Sequence, residues 1–543
     1  MLIGASGGML LGAAAGESAD VVVYGATSAG YAAAIQAQRM GKTAVVLEPS
    51  GHVGGMTAGG LGQTDVARVE AFGGISRAFY RDIKRYYEKP ENWRHQKSED
   101  YRPDGQCART LQADAMWTFE PSAAQAVLAD WERREKLRIV RHARLDRGPG
   151  GVTVEDGRIT ALRTLDGTVY KGRMFVDATY EGDLMAAAGV TYTVGREDNS
   201  VYGETINGMQ PGQPFHNFSV RGDPYVVPGD RASGLLPCIE AEPMGKLGQG
   251  DRRVQSYCFR MTLTDNPDNR IPFAKPEGYR ELDYELLFRN YAAGESVKNL
   301  PWINSAMPNR KTDTNNRAGF STDFIGQNYG WAEGSYAERE AIFKAHLHYQ
   351  QGLMWTLANH PRIPKAVRDV VSRWGMCKDE FTATGGWSPQ LYVREARRLV
   401  GAYVMTEADC TQRRTAPNPV SYADYPMDSH HVRRYVTADG CVRNEGDVQV
   451  RCEAGPYGVA YGALVPRRGE CANLLVPVCI SASHIAFGSI RMEPVFFALG
   501  QAAGTAAALA LEHGVAVQDV PYDALRARLV KDDQRFPGCG RQL

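Results

Sequence analysis

At 543 residues, with 62 basic against 62 acidic side chains, the chain is long enough for two or more domains around a large core. The even charge balance and the lack of any basic run speak against nucleic acid and anionic membrane surfaces as main partners. No fixed-period repeat or low-complexity tract is present, so the composition is globular throughout.

Residues 1–16, MLIGASGGMLLGAAAG, are small and apolar and end in an A-x-A-like stretch at Ala13 to Ala15. They resemble the hydrophobic region and cleavage site of a secretory signal without its positive start. Export, to a periplasm for example, is the expectation, and a cytoplasmic location the alternative. The stretch is too short and glycine-rich to span a membrane.

Asp20 to Tyr24 is a β-branched run with the look of a buried parallel strand. In the following GATSAG, Gly25 permits a tight turn and Gly30 lets a helix approach the strand closely. Thr27 stands where G-x-G-x-x-G has its middle glycine, and its hydroxyl is expected to donate to a pyrophosphate. The first helical residues, Ser28 and Ala29, offer that pyrophosphate free N–H groups and a positive dipole end. Ala29, Ala33, Ala37 and Met40 share one face of the helix, and Gly41 ends it. Thr43 to Leu47 reads as a second strand, with Glu48 at its end, 18 residues beyond Gly30, placed to accept ribose hydroxyls.

The next segment extends the site. Pro49 leads into SGHVGGMTAGGLG, where six glycines fall between Ser50 and Gly62, a density suited to a backbone wrapping a long ligand. It sets Ser50, Gly54, Gly55, Met56 and Thr57 beside the cofactor and points to FAD rather than NAD. His52 within it raises covalent flavin attachment.

FEPSAAQAVLADWERREKLRIVRHARL reads as a helix entered at Pro121 and a strand from Leu137, with Leu145 just beyond as a cofactor contact. Hairpin-like runs through Glu155-Asp156-Gly157 and Asp166-Gly167 feed a strand that ends at Asp177-Ala178-Thr179, then a helix near Asp183. This turn is similar to the D-A-T-G-D-G element that passes the adenosine end of FAD, with Tyr180-Glu181 in place of the usual glycine. Ala178, Thr179 and Asp183 are therefore candidate contacts.

Residues 196–464 are rich in Gly, Pro, Asn and aromatics and show little clean periodicity. Arg394, Glu395, Arg397 and Arg398 suggest a helix with a salt-bridged face at i, i+3 and i+4. Asp428-Ser429-His430-His431, if extended, puts Asp428 and His430 on one face, an acid-oriented histidine base. Cys441 and Cys452 bracket the hairpin-like CVRNEGDVQVRC, which a disulfide would close. No C-x-x-C occurs and no ligand set has metal spacing, so no metal is expected.

Toward the C-terminus a helix entered at Pro494 is apolar on nearly every face to Leu511, with Gly514 as its stop and Gly500 and Gly504 as a small-residue stripe. It reads as a buried core helix. The turn before it, with Gly488, Ile490, Arg491 and Met492, would aim N–H groups at the flavin edge that becomes anionic on reduction. Flavin catalysis also needs a base and a positive charge. His484 is the first candidate for base or substrate ligand and His430 the second, while Arg491 either stabilises reduced flavin or binds an anionic substrate.

With these segments, the stretches PNRKTDTNN, STDFIGQNYGW, QLYVREARRLVGAYVMTE, YPMDSHHVRRYV and VPRRGECANLLVPVCISASHIAFGSIRMEP make the chain resemble bacterial FAD-dependent oxidoreductases, some of whose members are labelled xanthan-lyase-like. The expected fold is α/β: a Rossmann-like FAD domain of glutathione-reductase type, with a central parallel sheet and a β-meander, discontinuous over 17–70, 120–195 and 465–543. Residues 71–119 and 196–464 would form an inserted mixed α+β substrate or cap domain. The expected activity is oxidation of a small polar substrate by hydride transfer to the flavin. No second glycine fingerprint for a nicotinamide appears. Family association suggests a sugar or sugar-derived alcohol. An FAD-containing lyase or isomerase acting on glycans, or a glycan-binding accessory protein, are the alternatives.

Overall fold

The computed structural model describes residues 16–110 and 113–540; the signal-like stretch, but for Gly16, lies outside the described residues. β1 (Glu17–Tyr24) runs into α1 (Ser28–Arg39) and returns as β2 (Ala44–Glu48), paired in parallel with β1 from Val21↔Ala44 to Tyr24↔Leu47. Gly25 sits at φ 102°, and a Cβ there would meet the Ala178 backbone at 2.9 Å, so the turn requires glycine. Gly41, at φ 75°, follows the last turn of α1 as expected.

α2 (Gly74–Tyr87) and α3 (Pro121–Arg134) cover the sheet on the α1 side, and β3 (Arg138–Arg141) adds in parallel to β2. β4 (Val152–Glu155), β5 (Arg158–Arg163) and β6 (Val169–Asp177) form the expected meander, and α4 (Asp183–Ala187) follows. The sheet order is β3-β2-β1-β6-β5-β4. β6 pairs in parallel with β1 along one edge and serves two partners along the other: Lys171 at its start pairs antiparallel with Ala161 of β5, while Phe175 and Val176 near its end pair in parallel with Leu474 and Leu475. Strand alternation decides the layers. Val21 and Val23 face the helices, and Val22 and Tyr24 face the meander.

The C-terminal helix Glu493–His513 ends at Gly514 and lies directly on α1. A Cβ at Gly500 would collide with the Ala29 carbonyl, and one at Gly504 with that of Ala33. The two small-residue stripes expected from sequence thus meet each other, and an added side chain would cost about 1–3 kcal/mol by overpacking. The helix is long and apolar enough to cross a membrane, yet its most apolar window is 94% buried inside the molecule.

The remainder is mixed α+β. Five short antiparallel strands, in the order Trp302–Met307, Lys311–Asn316, Met261–Thr264, Gly375–Cys377 and Arg270–Ile271, make a second sheet. A long helix, Tyr336–Asn359, begins at a Ser335/Glu338 capping box.

Two expectations fail here. Residues 394–398 are not helical: Arg397–Leu399 is a strand against Tyr192–Val194. Arg394, Glu395, Arg397 and Arg398 are all at least 95% buried. Arg394, Arg397 and Arg398 reach the distant carboxylates Asp323, Asp183 and Glu197, and of the expected local pairs Glu395–Arg398 forms without a helix to space it. Cys441 and Cys452 are free thiols. Their segment does not fold on itself, because Val442–Glu445 pairs with Arg433–Val436 and Gln449–Val450 with Met427–Asp428. The two cysteines therefore lie at opposite ends of one interrupted ladder.

Candidate functional site

A cavity of about 250 Å³ opens at the carboxyl ends of β1 and β2, where open α/β sheets bind their ligands. Gly25, Thr27, Glu48, Pro49 and Ser50 line it, joined by Gly55, Thr179 and Asp183. At its floor Glu48 accepts from the Ala26 N–H (2.9 Å) and from the Ser50 N–H and hydroxyl (2.8 and 2.7 Å). Burial pushes the Glu48 carboxyl up to about 7 against these bonds. Two ribose hydroxyls would complete its acceptor capacity. His52 lines the same cavity, but its ring bonds the Gly55 carbonyl of its own loop (3.0 Å).

Thr27 departs from expectation. Its hydroxyl donates inward to the Ala178 carbonyl (2.7 Å) and accepts from the Gly30 N–H (3.4 Å). It caps α1, so a pyrophosphate there is left with the backbone N–H groups of the helix start at Ser28 and Ala29. Gly30 and Ala178 act through close packing with Gly25. Gly54 donates to the Ala26 carbonyl (2.7 Å), holding the glycine loop to the turn. Leu145 is bound by backbone to the hydroxyls of Tyr24 (3.0 Å) and Tyr336 (2.9 Å).

The far end of the cavity is closed by charged residues with no clear signal in the sequence. Asp183 is held by Arg339 (2.6 and 2.8 Å), Arg397 (2.8 Å) and Arg147 (3.2 Å). Burial raises its carboxyl, but these guanidiniums, Arg339 above all, outweigh that and hold it below the ordinary range. Arg339 and Tyr336 arrive on the first turn of the long helix, which sequence reading left unassigned.

A second missed residue is Glu493. Fully buried at the start of the C-terminal helix, its carboxyl accepts from Ser28 (2.6 Å), Thr57 (2.7 Å) and Tyr180 (2.7 Å), and Tyr180 in turn accepts from the Met56 N–H (2.9 Å). Burial raises its pKa. One carboxyl thus ties together the first turn of α1, the glycine loop, the turn after β6 and the C-terminal helix. The hint in sequence was an acid next to the Pro494 helix start. In the preceding turn Ile490 and Met492 are buried, and Gly488 packs on the Asp428 backbone.

Arg491 lines one small cavity with Glu493, Tyr180 and Tyr392 but has different hydrogen-bond partners from Glu493. Its Nη1 donates to the Tyr392 hydroxyl (2.9 Å) and its Nη2 to the Asp428 carbonyl (3.0 Å). His430, two residues beyond the Met427–Asp428 strand, bonds through Nδ1 to Asp323 (2.9 Å), and Asp323 also pairs with Arg394 (2.9 Å). The expected partner, Asp428, does not orient it. Chain irregularity after Met427–Asp428 breaks the simple alternation on which that expectation rested. Burial, then the Arg394 charge, pushes His430 down to about 3, while Arg394 and His430 overcome burial to hold Asp323 well below the usual carboxylate range. Asp428 itself is pushed up to about 7 by burial, against the pull of Arg491.

His484 lies in a different cluster. Its Nδ1 meets both Glu395 oxygens (2.8 and 3.0 Å), and Arg398 bridges Glu395 and Glu197. Burial first, then Arg398 and Arg196, pushes His484 down to about 3. His431 bonds the His216 carbonyl (2.9 Å). No group of three or more His, Cys, Asp or Glu among the described residues is arranged to hold a metal ion.

The residues present fit a dinucleotide that continues to a flavin. The turn at Gly25 excludes a Cβ, Glu48 waits at the ribose position, and the glycine loop is held against that turn by the Gly54 N–H on the Ala26 carbonyl. No curated protein matches the chain. Among solved structures, a flavin-containing monooxygenase from Stenotrophomonas maltophilia is 21% identical over 36% of this chain and 45% of its own, with a TM-score of 0.20. An L-amino acid deaminase from Proteus vulgaris is 18% identical over 36% of this chain and 62% of its own (TM-score 0.20), and a T. acidophilum thioredoxin reductase 17% over 30% and 35% (TM-score 0.17). The chain therefore spans less than two thirds of the length of each. The family model for FAD dependent oxidoreductases, in contrast, matches residues 20–529, nearly the whole chain. With the cofactor layer and this match together, the chain belongs to the FAD dependent oxidoreductase family.

Proposed function

We propose that this enzyme oxidises a small polar substrate, a sugar or sugar-derived alcohol, with His430 as the base. When bound, FAD supplies the acceptor for the substrate's hydride, at N5 of the flavin ring. Gly25, Glu48, Ser50 and the α1 start would hold the adenosine and pyrophosphate. The turn at Ile490–Met492 would lie at the flavin end.

The observation that carries the reading is the Asp323–His430 pair. Asp323, ionised and 2.9 Å from Nδ1, keeps the proton on that nitrogen and leaves Nε2, which bonds nothing among the described residues, as the lone pair that takes a substrate hydroxyl proton. Burial together with Arg394 pushes the imidazole down to about 3 and keeps it neutral at the start, and the same two effects oppose the imidazolium, so the proton transfer depends on Asp323 to offset them. Asp323 then stabilises the imidazolium formed, as a positioning residue that never touches substrate.

Anaerobic addition of sugars, sugar alcohols and sugar acids to the holoenzyme tests this. Bleaching of the flavin spectrum by at least one of them is the expected result. Product formed without any net reduction, or purified protein that takes up no flavin, would overturn it.

A further inference from the structure

Resting on that reading, we propose that Arg491, flanked by Arg394 and Arg260 around the Tyr392 ring, binds a carboxylate of the substrate, which makes the substrate class a hydroxylated acid, a sugar acid rather than a neutral sugar. The argument begins with charge. Nine arginines are buried among the described residues, and seven of them pair with a carboxylate within 4 Å. The two left over are Arg434 and Arg491. Arg434 bonds Asn444 through Nε (2.9 Å) and lies over the Phe218 and Phe320 rings. Arg491 has only neutral acceptors, the Tyr392 hydroxyl and the Asp428 carbonyl, and its Nε has none. A buried guanidinium without a counter-charge is expensive to keep. An anion completes it.

The surroundings raise the positive potential further. The Tyr392 ring has the Arg394 guanidinium at 4.6 Å and those of Arg260 and Arg491 at 5.8 Å each. Arg394 is neutralised by Asp323, and Arg260 by Asp313 (2.8 and 2.5 Å), yet Arg260 Nη1 remains without a partner. Asp428, whose backbone carbonyl Arg491 bonds, has its carboxyl pushed up to about 7 by burial against the pull of Arg491, so it is only partly ionised near neutral pH. Among the described residues Arg491 is left with neutral hydrogen-bond acceptors and no ion pair of its own.

Direction decides between substrate and cofactor. Glu493, two residues on, faces Ser28, Thr57 and Tyr180, all on cofactor segments. Arg491 bonds Tyr392 and the end of the Met427–Asp428 strand, two residues before His430. A hydroxyl at His430 Nε2 and a carboxylate at Arg491 therefore describe one molecule with both groups.

The test uses flavin-loaded enzyme and binding as well as turnover. Glucuronate and glucose are titrated anaerobically, with perturbation of the flavin spectrum giving Kd. Glucuronate should bind at least tenfold more tightly than glucose, acetate should compete with it on the wild-type enzyme, R491Q should weaken glucuronate at least tenfold and abolish its preference over glucose, and R491K should recover part of the loss. Equal affinities for acid and neutral sugar, with no competition by acetate, would overturn the proposal whether or not the variants fold. An R491Q enzyme with unchanged glucuronate affinity but a shifted flavin reduction potential would also overturn it, assigning Arg491 to the cofactor. Glucuronate bound through Arg491 without ever bleaching the flavin would uphold the anion subsite and remove the oxidation of sugar acids.

Discussion

Two acid–histidine–arginine clusters lie side by side in this enzyme, and one short segment serves both. Arg394 reaches Asp323, which holds His430; its neighbour Glu395 holds His484 and Arg398. Because the segment is extended, consecutive side chains leave it in opposite directions. In the cluster at His484 every guanidinium has carboxylates of its own, Arg398 with Glu395 and Glu197 and Arg196 with Asp251 and Glu445. The cluster at His430 differs, since Arg491 adds a cation whose hydrogen bonds go to neutral acceptors. Similar residue types thus yield a structural knot in one place and a site that can bind and react in the other.

The largest effect expected to divide the clusters is on turnover. H430Q should lower the rate of flavin bleaching by about 10²–10⁴-fold with flavin content intact, and H484Q should leave it within about tenfold; the reverse ranking would move the base to His484. Stability comes next. D323N strips Arg394 of its single carboxylate and should cost about 3–5 kcal/mol, read by denaturant unfolding of the holoenzyme. E395Q leaves Arg398 with Glu197, so about 1–3 kcal/mol is expected from the lost hydrogen bonds.

Acid should act on both clusters alike. Each histidine is held down to about 3 from an unfolded value near 6.5, so the unfolded chain binds the extra protons. Stability is fully present above pH 6.5 and is lost as pH falls toward 3. H430Q and H484Q should each flatten that slope in pH-dependent unfolding, and an effect in only one of them would show that the clusters are not equivalent in burial. The smallest effect belongs to Asp428, whose pKa is raised to about 7. Its folded form holds its proton longer than the unfolded chain does, so wild type loses stability as pH rises from 4 through 7. D428N should therefore gain relative to wild type over that window, and a gain that did not grow with pH would contradict the assigned burial.

What could be read from sequence follows the same division. Around the cofactor, β1, α1, β2, the meander and the C-terminal helix announced themselves because their burial is apolar and periodic, and because Gly25, Gly500 and Gly504 meet backbone that tolerates no side chain. Around His430 and His484 the buried faces carry charge. Arg394 to Arg398 mimicked a solvated helix, since local spacing says nothing about partners supplied from elsewhere. Asp323 lies 107 residues from His430 and Glu493 is 465 residues from Ser28, separations that no pattern in the chain reveals.

Sequence by itself determined the cofactor and the layer that receives it, because strand period, helix caps and glycine turns are local properties of the backbone. Only the tertiary structure decided which carboxylate meets which histidine and which arginine is left without one. Those are long-range electrostatic pairings, and the free energy of a buried charge depends on the whole shell around it rather than on its neighbours in the chain.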